Sequence, residues 1–290
     1  MVTAPRWSRR TFLAAAAGAV AAGSLRAATA PRIAAVDWAM AETATLLGYA
    51  PVALAELVAF RRTAPQPVPR TTVDLGLRGA PNLESLALVA PDLILSSSYY
   101  TFVEPQLTRI APVFSRPLFV PGERPLPKMF TLLDELADAI GDPAAARATR
   151  RSVAADIDEL AARLAPHAGR PVLLVEIGDP RHVRVFGTDS LFHGALTAVG
   201  LRNAWSDGTR FSFAAPVPMS DLARFPDAHI VIMGDMPAQV EHSLGRSRLW
   251  NALPAVKAGR VTRLPDLNGF GGLPSALNFA RTLADGLAAS

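Results

Sequence analysis

Short apolar runs alternate with helically spaced apolar positions in the first half of the chain. Residues 33–36 form a β-like run, and Asp37 can cap the three-residue apolar spacing over residues 38–47. A helix is predicted over residues 82–89, where the first residue, an asparagine, can cap it, and a strand follows over residues 93–95. Strand and helix therefore alternate here.

A longer helical pattern begins in the middle of the chain. Asp142 can cap it and Pro143 can occupy its first position, and it runs to about residue 165, where Pro166 and Gly169 follow. An apolar stripe is formed by Val153, Ile157, Leu160 and Leu164. At about 1.5 Å per residue such a helix measures about 33 Å, so it could join two lobes. A long helix inside a single domain would show the same pattern.

Strands and helices also alternate in the second half. We predict strands at 171–175, 183–186, 229–233 and 261–264, and helices at 190–199 and 275–287. This alternation predicts an α/β fold with two α/β lobes joined by one long α-helix. The expected boundaries are an N-terminal lobe over 31–142, a connecting helix over 143–165 and a C-terminal lobe over 166–290.

Residues 1–30 have the pattern of an export signal. Arg9 and Arg10 precede Thr-Phe-Leu and a mildly apolar, alanine-rich run over residues 14–22, which is the twin-arginine pattern. Cleavage is expected after Ala27 or Ala30. An alanine-rich N-terminal helix is the alternative interpretation.

The formal charge of +4 depends on this segment. Residues 1–30 hold four of the 29 basic residues and no acid, so 25 basic residues remain against 25 acidic ones. A neutral chain with dispersed arginines does not favour nucleic-acid binding.

The sequence lacks the residues that several kinds of chemistry require. The chain has no cysteine, which excludes disulfides, thiolate metal ligands and a lipid-modified cysteine. The five histidines are scattered without metal-ligand spacing, and no nucleophile elbow or phosphate loop is present. We therefore expect no metal site and no enzyme.

Several segments resemble one family over nearly the whole chain after residue 30. They are residues 73–78, 81–86 and 91–95 in the first half, and 179–182, 185–187, 190–192, 203–205 and 258–260 in the second. In the same order they resemble the periplasmic iron(III)-hydroxamate siderophore-binding proteins, a branch of the iron-chelate and cobalamin binding family. The resemblance implies two α/β lobes with a ligand cleft between them.

The resemblance also implies ligand contacts. Arg78 matches the family arginine that donates hydrogen bonds to the hydroxamate oxygens around iron, and Tyr100 matches the tyrosine that binds the same oxygens, with Tyr99 as a substitute. Alternatively, Arg78 forms a surface ion pair and the tyrosine is a packing residue.

Trp38, Leu191, Phe213 and Phe270 fall at or near the positions of the family's apolar cleft walls, and a core residue is the alternative for each. Phe213, Asn268 and roughly Arg62 stand where the family has tryptophans. The particular siderophore therefore stays open.

Glu104 and Asp221 fall near the acidic residues with which this family docks to its inner-membrane ABC permease and the permease's ATPase. Ordinary solvated acids are the alternative for both.

We expect a soluble, monomeric periplasmic component of an ABC importer that binds a ferric hydroxamate siderophore. The siderophore's own oxygens hold the iron, so no cofactor is required. The alternatives are another chelate (a catecholate siderophore, haem or cobalamin) or an exported α/β enzyme.

Overall fold

The computed structural model describes residues 30–209 and 214–289 of the chain. From Pro31 onward the chain forms one compact unit. The expected export signal lies outside the described residues except for Ala30, and Phe213 lies outside them as well. Within the described ranges, no helix combines the length and the apolar character needed to cross a bilayer.

Eleven α-helices are found in the described residues. They are α1 Trp38–Leu46, α2 Leu57–Thr63, α3 Leu83–Leu88, α4 Glu104–Leu107, α5 Pro125–Ile140, α6 Pro143–Leu164, α7 Leu191–Ala198, α8 Ala238–Arg246, α9 Arg248–Ala252, α10 Pro254–Lys257 and α11 Leu273–Ala288.

The first lobe contains a five-stranded parallel sheet and a small hairpin. The sheet strands are β1 Ile33–Ala35, β2 Ala53–Leu54, β3 Val73–Asp74, β6 Leu93–Ser97 and β7 Val113–Arg116, and the hairpin pairs β4 Gly76–Leu77 with β5 Ala80–Pro81. The sheet order is β3-β2-β1-β6-β7. The central strand β1 is buried at every residue, as expected for a parallel sheet covered on both faces.

The second lobe contains a mixed five-stranded sheet. Its strands are β8 Val172–Glu176, β9 His182–Val185, β10 Ala215–Pro218, β11 His229–Met233 and β12 Val261–Leu264. The order is β10-β9-β8-β11-β12, with β8, β11 and β12 parallel and with β9 antiparallel to both of its neighbours. The four strands predicted in this half are found to within one residue, whereas β10 was not predicted.

Three predicted helix caps are confirmed. The carboxylate of Asp37 accepts a hydrogen bond from the Met40 amide at 3.0 Å, and that of Asp142 accepts one from the Ala145 amide at 3.0 Å. The side-chain oxygen of Asn82 accepts one from the amide of Ser85 at 2.8 Å. Each cap satisfies an amide that has no partner within its own helix.

The long helix α6 stands between the two sheets in the sequence and packs against α5 and α11. Three residues of its predicted stripe are buried, and Ile157 is half-buried. Together with α1, α5, α7 and α11, this helix forms one hydrophobic cluster that includes β1 residues of the first sheet and β8 residues of the second. The two lobes therefore share a continuous core.

Six of the helices in the described residues were not predicted, namely α2, α4, α5, α8, α9 and α10, and α11 differs at its start. Helix α5 was not predicted, because Arg124 precedes it without a side-chain cap and Pro125 and Pro127 stand at its start. Helix α11 begins at Leu273, two residues before the predicted start, because Pro274 occupies its first turn.

Candidate ligand-binding site

Four polar side chains of the first lobe lie at the carboxyl ends of its strands. Asp37 follows β1, Glu56 follows β2, and Tyr100 lies in a 3₁₀ turn after β6, whereas Arg78 lies in the turn of the β4–β5 hairpin that follows β3. In open α/β sheets, ligands bind in the crevice outside the carboxyl ends of the strands. This group is therefore the first candidate for a ligand site.

Glu56 and Trp38 hold the guanidinium of Arg78 from two sides. Its Nε donates a hydrogen bond to Oε2 of Glu56 at 2.8 Å, and its central carbon lies 4.3 Å from the centroid of the Trp38 ring. The indole Nε1 of Trp38 in turn donates to the carbonyl of Ala55 at 3.0 Å, which fixes the ring. Glu56 engages the Nε–H, and the guanidinium carries further N–H donors in a fixed fork.

Tyr100 lies in the electric field of the same group. Burial raises the pKa of Tyr100 to about 12, and the negative charges of Asp37 and Glu56 also raise it. The charge of Arg78 and a hydrogen bond from it act in the opposite direction. The hydroxyl therefore stays protonated and can donate a hydrogen bond at any physiological pH.

The structure separates the two tyrosine candidates. Tyr99 is 43% exposed, with its ring centroid 6.4 Å from that of Tyr100. Tyr100 is less exposed, and its hydroxyl interacts with Arg78. Tyr100 is therefore the better placed of the two to act together with Arg78.

Asp37, which the sequence predicts as a helix cap, also belongs to this candidate site. It is 5% exposed, and burial raises the pKa of its carboxyl group, while the hydrogen bond from the Met40 amide and the charge of Arg78 lower it. An acid immediately after a buried strand was the available signal for its role.

Glu56 was missed as well. It has a left-handed backbone with a φ of 52°, and its amide donates to the carbonyl of Gly76 at 2.6 Å, which ties it to the hairpin that carries Arg78. Residues other than glycine adopt this conformation at a cost, and such residues cluster at functional sites. The conformation aims the carboxylate at Arg78.

The second lobe presents a cavity of about 320 Å³ at the carboxyl ends of β8, β11 and β12. Three carboxylates and two aromatic rings lie among its lining residues, which are Glu176, Phe186, Phe192, Met233, Gly234, Asp235, Asp266 and Leu267. The rings of Phe186 and Phe192 pack edge to face, with centroids 5.1 Å apart. This cavity was not predicted, because its lining residues are far apart in the sequence.

The predicted wall residues occupy different environments. Trp38 is 8% exposed and lies beneath Arg78, whereas Leu191 is completely buried in the core and its neighbour Phe192 lines the cavity. Phe270 is 47% exposed, and its ring lies 5.6 Å from that of Phe119, which follows β7. This contact brings together loops from the carboxyl ends of both sheets.

The remaining positions singled out in the sequence are spread over both lobes. Glu104 begins α4 and Asp221 lies in a 3₁₀ turn over Met219–Arg224, and both are half-buried. Arg62 is exposed in the last turn of α2, whereas Asn268 is 6% exposed. Among the described residues, no group of three or more histidine, aspartate and glutamate side chains is arranged to hold a metal ion.

Comparison with known proteins identifies the family. The model of the periplasmic binding protein family matches residues 33–267, which is most of the chain. The chain belongs to the periplasmic binding protein family. The expectation of a binding protein with two α/β lobes, and not an enzyme, is confirmed by this membership.

Individual relatives place the chain within this family. It is 33% identical over 255 residues to the iron(3+)-hydroxamate-binding protein FhuD of Escherichia coli K12, covering 87% of this chain and 85% of the relative. The crystal structure of the siderophore-binding protein FhuD from Vibrio cholerae with bound Fe³⁺–Desferal matches with a TM-score of 0.81 at 27% identity, over 90% of this chain and 99% of that one. Staphylococcus aureus SirA shares the fold, with a TM-score of 0.66 at 19% identity, over 89% and 99% of the two chains.

Proposed function

We propose that this chain is the periplasmic substrate-binding component of an ABC importer and that it carries ferric hydroxamate siderophores in the cleft between its lobes. The observation that carries the proposal is the guanidinium of Arg78, held by Glu56 over Trp38 beside the hydroxyl of Tyr100. The two FhuD relatives, named for iron(3+)-hydroxamate binding and found with Fe³⁺–Desferal, support the same ligand class.

The chemistry of these two side chains suits the oxygens of a hydroxamate complex. Each hydroxamate oxygen bound to iron carries partial negative charge and keeps a lone pair free. A guanidinium offers parallel N–H donors in a plane, and a protonated phenol adds an O–H donor. The siderophore's oxygens fill the coordination sphere of the iron, so the protein need only donate hydrogen bonds around its edge.

The charges around the cleft favour neutral complexes over anionic catecholates. Glu56 pairs with Arg78 at 2.8 Å and compensates its charge. The cavity of the second lobe adds the carboxylates of Glu176, Asp235 and Asp266. A catecholate complex with several negative charges would be repelled by such a surface, whereas a neutral hydroxamate complex would not.

The remaining parts of the chain follow from this role. We propose that residues 1–30 are a twin-arginine signal peptide, that 31–142 and 166–290 are the two lobes and that 143–165 is the connecting helix. Glu104 and Asp221 would meet the inner-membrane permease, to which the importer's ATPase is attached, and the carrier would act as a monomer in the periplasm.

The test is a titration of the purified chain, without residues 1–30, with three kinds of ferric complex. Tryptophan fluorescence is recorded while ferrioxamine B, ferrichrome and a ferric tris-catecholate are added. Saturable binding is expected for one or both hydroxamates, and binding at least tenfold weaker for the catecholate. Saturation by the catecholate alone would replace hydroxamates with the alternative ligand class, and no response to any hydroxamate complex would overturn the proposal.

A further inference from the structure

Glu42 is a carboxylate of the first lobe whose hydrogen-bond partners lie in the second. It stands on α1 with no exposed surface. Its Oε1 accepts from Nδ2 of Asn268 at 2.9 Å and from the hydroxyl of Ser275 at 2.7 Å. Its Oε2 accepts from the backbone amides of Gly272 at 2.8 Å and Ser275 at 3.2 Å. Buried carboxylates are rare and need such compensation.

These contacts cap a helix across the lobe boundary. The N-cap residue of α11, Gly272, has no side chain to serve its first turn. The amides at the start of a helix lack partners within it and give that end a positive polarity. The carboxylate of Glu42 meets two of these amides, so a residue of the first lobe completes the start of a helix in the second.

The four hydrogen bonds compensate a carboxylate that is completely buried. Burial raises the pKa of Glu42, and the hydrogen bonds from Ser275, Gly272 and Asn268 lower it. Removing a donor leaves a buried carboxyl oxygen with one partner fewer, which costs more than the loss of a hydrogen bond at the surface. The segment from Asn268 to Ser275 therefore cannot move away from α1 without a large penalty.

Two glycines allow the close approach. A Cβ atom at Gly271 would lie 2.6 Å from Oε1 of Glu42, and one at Gly272 would lie 3.1 Å from the carbonyl of Ala39. The Cβ atom at Gly271 would lie still closer to the hydroxyl oxygen of Ser275, so a side chain there would displace both the carboxylate and one of its donors. Gly271 and Gly272 are thus constrained by their contact with α1.

Asn268 links the carboxylate to a residue of the cleft wall. Its Nδ2 donates to Glu42, and its Oδ1 accepts from the backbone amide of Phe270 at 3.1 Å. Phe270 is half exposed and packs against Phe119 of the first lobe. The position of the Phe270 backbone therefore depends on Glu42 through one buried amide side chain.

We propose that Glu42 is a positioning residue which, through Asn268, holds Phe270 in the cleft wall at the place where it contacts a siderophore. This inference rests on the proposed function, because the ligand contact of Phe270 is part of that function. According to this proposal, a loop of the second lobe contacts the ligand, and a residue of the first lobe sets the position of that loop.

The test is a double-mutant cycle on ferrioxamine B affinity. Asn268→Ala and Phe270→Ala should each weaken binding by about tenfold, and the double variant should bind within about twofold of Phe270→Ala alone. Ser275→Ala is the matched control, because it also removes one hydrogen bond to Oε1 but leaves the link to Phe270 in place. Its affinity should stay within about twofold of the wild type.

Hydrogen exchange in the ligand-free protein gives a second readout that needs no siderophore. Asn268→Ala and Glu42→Gln should speed exchange of the Phe270 amide by about tenfold or more, whereas Ser275→Ala should not. This inference alone is overturned if exchange of the Phe270 amide is unchanged in these variants. It is also overturned if the wild type binds and the affinity losses of Asn268→Ala and Phe270→Ala are additive. A wild type that binds no hydroxamate would overturn the proposed function, and the inference with it.

Discussion

Arg78 is fixed in place before any ligand arrives. Glu56 accepts a hydrogen bond from its Nε, the ring of Trp38 lies under the plane of the guanidinium, and the hydroxyl of Tyr100 lies beside it. An arginine side chain loses much conformational freedom when it binds, and a side chain that is already ordered loses less. The proposed site is therefore preorganised by its neighbours in the same lobe.

The ionisation of Tyr100 is a direct test of this environment. The folded pKa is raised from 10.0 to about 12, so the stability that the buried phenol contributes is present below pH 10 and is lost as the pH rises from 10 towards 12. In an alkaline titration of phenolate absorbance, Tyr100→Phe should leave the signal near pH 10 unchanged and remove absorbance only nearer pH 12. If Tyr100→Phe instead removes an absorbance step centred at pH 10, the phenol of Tyr100 is an ordinary, solvated one.

The site residues show where sequence reasoning reaches its limit. Arg78 and Tyr100 were predicted because their surrounding motifs resemble a family. Glu56 and Asp37 were not predicted as members of the site, because their roles depend on contacts in space. Glu56, for example, forms a hydrogen bond with an arginine 22 positions away in the sequence, and no local pattern indicates such a contact.

Among the elements, α6 has the strongest local signals. Asp142 caps it and also accepts a hydrogen bond from the hydroxyl of Tyr49 at 2.9 Å, so this one carboxylate ties the start of α6 to the loop after α1. Pro143 occupies the first helical position, where the missing N–H costs nothing.

Asp142→Ala should lower the free energy of unfolding by about 1–2 kcal/mol, because a helix cap and a hydrogen bond to a tyrosine are lost together. Chemical denaturation measures the change. Asp138→Ala, at an exposed position of α5, is the matched control and should change stability by less than about 0.5 kcal/mol. Equal effects at both positions would mean that the cap does not stabilise α6.

The contrast between α6 and α5 explains which elements could be predicted. Helix α6 begins with a capping aspartate followed by proline, and its stripe has regular spacing. Helix α5 begins after an arginine that does not cap, with prolines at two of its first three positions, so its start has the composition of a loop. The antiparallel pairing of β9 with β10 also escaped prediction, because strand pairing joins distant segments.

For the whole molecule, the decisive feature is the core that both lobes share. Helices α1, α5, α6, α7 and α11 pack into one cluster between the two sheets, and Glu42 adds a polar link from α1 to the start of α11. Opening the cleft widely would expose this core. We therefore expect small lobe movements and a cleft that is largely formed before binding.

The proposed docking to a permease is tested separately from ligand binding. Charge reversal by Glu104→Lys or Asp221→Lys should leave ferrioxamine B binding in solution within about twofold of the wild type, while uptake of the iron complex by cells falls by about tenfold. Asp158→Lys, at an exposed position of α6, is the control and should transport normally. Normal uptake with both reversed residues would exclude them from docking.

The central claim is that Arg78 binds a ferric hydroxamate, and calorimetric titration of ferrioxamine B into matched arginine variants tests it most directly. Arg78→Ala should weaken binding by about 1.5–3 kcal/mol, or roughly 10- to 150-fold, because a charge-assisted donor is lost. Arg163→Ala, which breaks an exposed ion pair with Asp285, should bind like the wild type. Equal affinities for the wild type and Arg78→Ala would contradict the account.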